Sequence, residues 1–288
     1  MPTTHAHYKF GEEVMEALPR SLRESIVKNR QLYDIGLHGP DILFYIFSPF
    51  KGYVRKTGTG LHKQPGRAFF EHARKVIKTA PNPVAARAYI YGFITHFVLD
   101  SECHKYVEKM IEESKVGHNE IETEFDAYLL KQEGRKPLAV DRTKHLQPSF
   151  KNAQIIAPFF NGFNMKTKPS KDNVMKTITP LDIKRTITAQ IVIHKILSAR
   201  TDRQRNMVSA LTRLRSDGHE IIELMINKQP NPKCTNYNVI LKKVYSASIP
   251  LAVSLILQYQ KYLLQGDDLS ARFDQAYDEG EDWMKIVL

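Results

Sequence analysis

A chain of 288 residues with 42% apolar content can bury a substantial core, which excludes a disordered chain, and two cysteines, Cys103 and Cys234, are too few for a disulfide framework. The net charge of +11 is concentrated: residues 131–215 hold 18 Lys and Arg against 5 Asp and Glu, a bias that attracts phosphate-bearing partners (nucleic acid, an anionic membrane surface or a small phosphoester) unless it is only a solvated face. The opening MPTTHAHYKFGEE has no basic stretch followed by an apolar one, and the longest apolar run, Ile249–Leu257, falls short of the roughly 18–20 residues a membrane span needs, so a cytoplasmic protein without a transmembrane segment is expected.

Helical signals dominate in chain order. Tyr33, Phe44, Tyr45, Phe47 and Phe50 form an aromatic cluster that either packs in the core, the commoner role, or lines a cleft. A helix following Phe69 and Phe70 carries His72. Pro81 and Pro83 mark the start of the next element, which from Val84 reads VAARAYIYGFITHFVLDSECHKYVEKMIEES and is apolar nearly all round as far as Leu99, as in a helix buried in the core. In residues 118–131, HNEIETEFDAYLLK, Ile121, Phe125 and Leu129 recur at i, i+4 and i+8 and predict an amphipathic helix. Asn161–Pro169 reads as a connector and Thr179-Pro180-Leu181-Asp182 as a helix start, with further helices over 181–199, 202–215, 219–227 and 236–264. With no internal repeat or low-complexity tract, the expectation is one all-α domain over residues 1–288, least regular between 134 and 180.

The chemistry-bearing residues cluster in the first part of the chain. His96, Asp100 and His104 are spaced i, i+4 and i+8, so a continuous helix points all three along one face, among Phe93, Ile94, Phe97, Val98 and Leu99. An unpaired carboxylate there costs several kcal/mol, so something must compensate its charge. His118 and Glu122 repeat the i, i+4 spacing on the next helix, and zinc takes imidazole and carboxylate ligands of this kind. One such pair is weak evidence, because His104/Glu108 and His219/Glu223 share the spacing; the clustering carries the inference.

The order His7, Asp41, His62, His96-x-x-x-Asp100, His104 and His118-x-x-x-Glu122 resembles the bacterial zinc-dependent phospholipase C family, to which single-strand-specific zinc nucleases are related in arrangement. The motifs that carry the resemblance are THAHYKFG, GLHGPDILFY, LHKQPGRAFF, YIYGFITHFVLDSECHKYV and GHNEIETEFD, over about residues 5–130. It implies an all-helical domain holding about two to three zinc ions. By that resemblance Asp41, His62, His96 and Asp100 hold one zinc and His104, His118 and Glu122 a second, while Asp100 bridges to a third that His7 also binds. Asp41 is in addition the candidate general base, and Asp34 is the alternative to Asp41 as the metal-ligating aspartate. The N-terminal tryptophan that completes the third site in secreted members has no counterpart; His5 or the amine of Pro2 is the candidate replacement.

Other histidines read as structural: His38 turns near the site without binding metal, and His145, His194 and His219 match no part of the pattern. Three functions stay open. The first is a zinc-dependent phosphodiester hydrolase acting on a phospholipid headgroup or a soluble analogue. The second is the same chemistry on single-stranded nucleic acid, and the third a non-catalytic helical protein stapled by zinc.

Overall fold

The computed structural model describes residues 4–46, 52–137, 140–162, 177–197 and 232–277, and among them every regular element is helical. The helices predicted over 202–215 and 219–227, with His219 and Glu223, lie outside the described residues, as do Pro2, Phe47, Phe50 and most of the connector at 161–169.

The fold is arranged around α6 (Pro83–Ser114). Its start follows from local chemistry: Pro83 occupies the first turn, where no amide hydrogen is needed, and the Asn82 side chain accepts from the Ala85 amide at 3.1 Å. Its end is set by Lys115 in the left-handed region at φ 59°, with its amide donating to Ile111 O. Between these points the helix is buried on nearly every side as far as His104, as its unbroken apolar sequence predicts. On one side it meets α3 (Arg30–Gly36), which lies almost backbone to backbone against it. A Cβ on Gly36 would stand 2.2 Å from Tyr89 O, and one on Gly92 would stand 2.2 Å from Tyr33 O, so both glycines are required by close approach.

α1 (Thr4–Ala17), not anticipated from the sequence, packs against α6, and its first turn is fastened by the buried Asp126 carboxylate, which accepts from the amides of His5 (3.1 Å) and Ala6 (2.8 Å). Asp126 belongs to α7 (His118–Gln132), the helix predicted over 118–131. Around this centre lie α2 (Arg20–Lys28), a 3₁₀ helix over Gly39–Tyr45, α4 (Gly52–His62), α5 (Arg67–Thr79), α8 (Phe150–Ile156) and α9 (Pro180–Leu197).

The single helix predicted over 236–264 is two, α10 (Thr235–Ala247) and α11 (Ile249–Leu264), with Ser248 between them and Pro250 in the first turn of α11. Proline biases the residue before it away from helical geometry and starts a new helix instead of continuing the old one. Counted across that junction, Asn236–Leu264 is long and apolar enough to cross a membrane by length and composition, with a mean hydropathy of 1.6 in its best window. In the fold, Tyr245, Leu255, Ile256 and Tyr259 of this stretch are buried, and the helices pack on α6, with α11 also on α1.

The chain then returns to the centre. Arg272 pairs with Glu102 and donates to Ser101 Oγ at 2.9 Å, Arg67 bonds Asp274, and the Gly66 amide donates to Gln275 O at 3.0 Å. One cluster of buried apolar side chains runs from Ala6 to Tyr277.

Candidate metal centre

Each functional side chain is placed by an element already described. α6 carries His96, Asp100 and His104 on successive turns of one face; α1 brings His7; the 3₁₀ helix brings Asp41; α4 ends on His62; α7 begins with His118 and Glu122. Three groups of donors result, with the offered atoms in each lying within 4.8 Å of one another: His7, His96 and Asp100; Asp41, His62 and His96; and His104, His118 and Glu122. The structure therefore brings together all the ligand candidates of the sequence pattern except His5.

At the first two groups, Asp100 is fully buried, with His7 Nε2 3.1 Å from Oδ1 and His96 Nε2 and His62 Nε2 3.2 and 3.7 Å from Oδ2. Asp41 Oδ1 lies 3.0 Å from His62 Nε2. On His62 and His96 the other ring nitrogen is spoken for. His62 Nδ1 donates to Gly58 O at 2.8 Å and His96 Nδ1 to Leu37 O at 3.2 Å. A carbonyl only accepts, so Nδ1 carries the hydrogen and, in the neutral rings, Nε2 presents a lone pair to the carboxylates.

Lone pairs facing carboxylate oxygens at about 3 Å repel unless a proton or a cation lies between them. The angles make no hydrogen bond: His62 Nε2, His96 Nε2, both nitrogens of His7, Asp41 Oδ1 and both oxygens of Asp100 are buried and unpaired. These are the signs of a donor set that fits a divalent cation, and a chain of nitrogen and oxygen donors suits zinc. The carbonyl bonds to Nδ1 are the orienting contacts that metal-ligating histidines use.

Electrostatics agree with ligand duty. Burial raises the Asp100 pKa, but positive charge on the facing His96 and His7 rings more than reverses this and holds it well below the ordinary carboxylate range, a part that a cation takes where the rings are neutral. Burial lowers His7 below 6.5 despite Asp100, so it stays neutral and can ligate. In the third group, His118 Nε2 lies 2.6 Å from Glu122 Oε1, His104 Nδ1 donates to Asp100 O at 3.0 Å, and burial pushes His104 down to about 4 and His118 to about 3.

His96 needs one backbone feature. Gly39 sits at φ +50°, and a Cβ there would stand 2.2 Å from the His96 ring, so glycine both turns the chain and leaves room for the imidazole.

His5 is turned elsewhere: its Nε2 faces Glu133 Oε1 at 3.1 Å, because on α1 positions two residues apart point to nearly opposite sides. Asp34 is paired with Arg30 at 2.5 Å and pushed up to about 6 by burial, whereas Asp41 stands beside His62. Cys103 is a buried free thiol. His72 bonds Pro158 O.

Phe44 stacks on His62 with ring centres 5.4 Å apart and, like Tyr45, is half-buried, so this part of the aromatic cluster flanks the site, while Tyr33 is a core residue. Sequence reasoning missed that His145 and His194 gather beside the centre. His38 Nε2 lies 2.8 Å from His145 Nε2, Gln190 Nε2 lies 3.1 Å from His38 Nδ1, and His194 Nε2 is 3.3 Å from Thr4 Oγ1. These partners are more than a hundred residues apart and leave no periodic signal.

A family model described as zinc dependent phospholipase C matches residues 6–179, more than half of the chain. The chain belongs to the zinc-dependent phospholipase C family. Comparison with curated proteins and with solved structures returns no match. The match spans every member of the three donor groups, and the all-helical architecture is the fold expected of a zinc-dependent phospholipase C.

Proposed function

We propose that this zinc-dependent phospholipase C family member is a phosphodiester hydrolase acting on a phospholipid headgroup or a soluble analogue of one. The observation that supports it best is Asp100, a fully buried carboxylate faced by the unpaired Nε2 atoms of His7, His62 and His96, an arrangement that only a cation relieves without protonating the rings. His7, Asp41, His62, His96 and Asp100 would hold one part of the metal cluster and His104, His118 and Glu122 the rest. Zinc supplies Lewis-acid polarisation of phosphoryl oxygens and lowers the pKa of water.

The chain's own residues then have distinct tasks. Asp41, partly exposed beside His62, is the group placed to accept a proton from the attacking water through a carboxylate oxygen. Gly58 O and Leu37 O hold His62 and His96 in the tautomer that leaves Nε2 free. Phe44 and Tyr45 form an apolar flank against which a headgroup can rest.

A second reading, hydrolysis of single-stranded nucleic acid, is favoured by the basic segment, of which Lys144, Lys151, Lys184 and Arg185 are exposed among the described residues. The test is a direct comparison: a chromogenic phosphocholine ester or simple phosphodiester is expected to turn over faster than single-stranded DNA under the same conditions. DNA cut faster with the choline ester untouched would replace this reading with the second. Neither substrate cut by fully zinc-loaded protein would point to a structural metal.

A further inference from the structure

The family match ends at residue 179, yet the wall of the metal centre includes a residue far beyond it. Tyr277 is 0% exposed, and its ring centre lies 5.2 Å from that of His62, 6.1 Å from that of His96 and 5.0 Å from Phe97, which it meets edge-on. The segment that delivers it is tied down on both sides of the centre, through Arg272 to Glu102 and Ser101 on α6 and through Asp274 and Gln275 to Arg67 and Gly66. The ring is thus fixed against two of the candidate ligands.

Its hydroxyl is buried and has no hydrogen-bond partner. Tyr33 donates to Gly11 O and Tyr259 to Phe70 O, both at 2.8 Å, whereas the buried hydroxyls of Tyr89, Tyr91 and Tyr245 share the unpaired state, so what sets Tyr277 apart is its ring contact with His62 and His96. A phenol hydroxyl carries its proton at neutral pH and can act as a donor.

We propose that Tyr277 is a further site residue whose hydroxyl donates a hydrogen bond to a phosphoryl oxygen of the phosphoester, on the side of the centre formed by His62 and His96. The proposal rests on the phosphodiesterase reading for its substrate and on the ring contacts and the unpaired hydroxyl for its geometry. A fixed donor aimed at developing charge on a phosphoryl group is a recognised source of rate enhancement.

The test uses inorganic phosphate as probe and the zinc-loaded full chain, with Tyr277→Phe as variant and Tyr89→Phe as control. Tyr89 also has a buried, unpaired hydroxyl, but its ring lies against Phe159 and Phe93 and not against His62 or His96. Calorimetric titration is expected to show phosphate binding weakened about fivefold or more in Tyr277→Phe and unchanged in Tyr89→Phe. Zinc content and the unfolding temperature of the metal-free protein should stay as in the wild type, because the hydroxyl bonds nothing there, and phosphodiester turnover should fall about tenfold or more. Equal phosphate affinity in wild type and Tyr277→Phe, equal weakening in Tyr89→Phe, or no phosphate binding by the zinc-loaded wild type would overturn the proposal. Loss of zinc from Tyr277→Phe would overturn it too, since the residue would then act by holding ligands. If the wild type binds phosphate but cleaves no phosphodiester, the proposed function fails while the affinity comparison still decides the role of Tyr277.

Discussion

Asp100 concentrates the account into one side chain. Asp100→Asn keeps the size and removes the charge that faces three imidazoles, so activity is expected to fall about a hundredfold or more and at least one metal to be lost, by elemental analysis beside a rate assay. His219→Gln changes a histidine with the same i, i+4 acidic partner but outside the family pattern, and is expected to leave both measurements nearly intact. Full zinc and full rate in Asp100→Asn, with loss of both in His219→Gln, would show the ligand set to be wrong. His96, Asp100 and His104 were legible in the sequence because helix periodicity places them on one face. His5 was not, because spacing in sequence says nothing of which way α1 faces. The approach of His145 and His194 to His38, and of Tyr277 to His62, depends on long-range packing that no local pattern encodes.

At the level of elements, the centre depends on how closely α3 and α6 approach, since α3 leads into the turn that carries Asp41 and supplies the carbonyl that orients His96. A methyl group at Gly92 meets the Tyr33 carbonyl, a backbone atom that cannot swing aside. Gly92→Ala is therefore expected to destabilise the fold by about 2 kcal/mol or more, measured by denaturant unfolding, and a change under about 0.5 kcal/mol would contradict the close approach. The helix at 118–131 was readable to within a residue at its ends, against His118–Gln132, and the start at 181 to within a residue of Pro180, because apolar spacing and a proline in the first turn are local signals. The split of 236–264 hangs on Ser248 and Pro250, which an apolar average conceals. α10, α11 and the segment around Phe273 and Tyr277 fill the core that α1 and α6 open to them, so a chain ending at Thr179 is expected to stay unfolded by circular dichroism and thermal melting. A cooperative melt from that fragment would show the matched region to be self-sufficient.

For the molecule as a whole, buried neutral histidines make the metal-free fold sensitive to acid. His104 and His194 are each pushed down by burial to about 4, against about 6.5 in an unfolded chain. Below pH 6.5 the unfolded state takes up protons that the folded state refuses, so stability is complete above about 6.5 and declines as pH falls towards 4. Melting temperatures in chelator at pH 7.5, 5.5 and 4.5 should drop in that order, and a flat series would contradict the burial of these rings. The same neutrality at pH 7 leaves His104 ready to bind a metal without first losing a proton. The buried donors on α1, α4, α6 and α7 are read as existing to hold a metal cluster, and elemental analysis of protein purified without chelator puts that most directly to the test. About two to three zinc ions per chain are expected. A metal content near zero in protein that remains folded would contradict that reading.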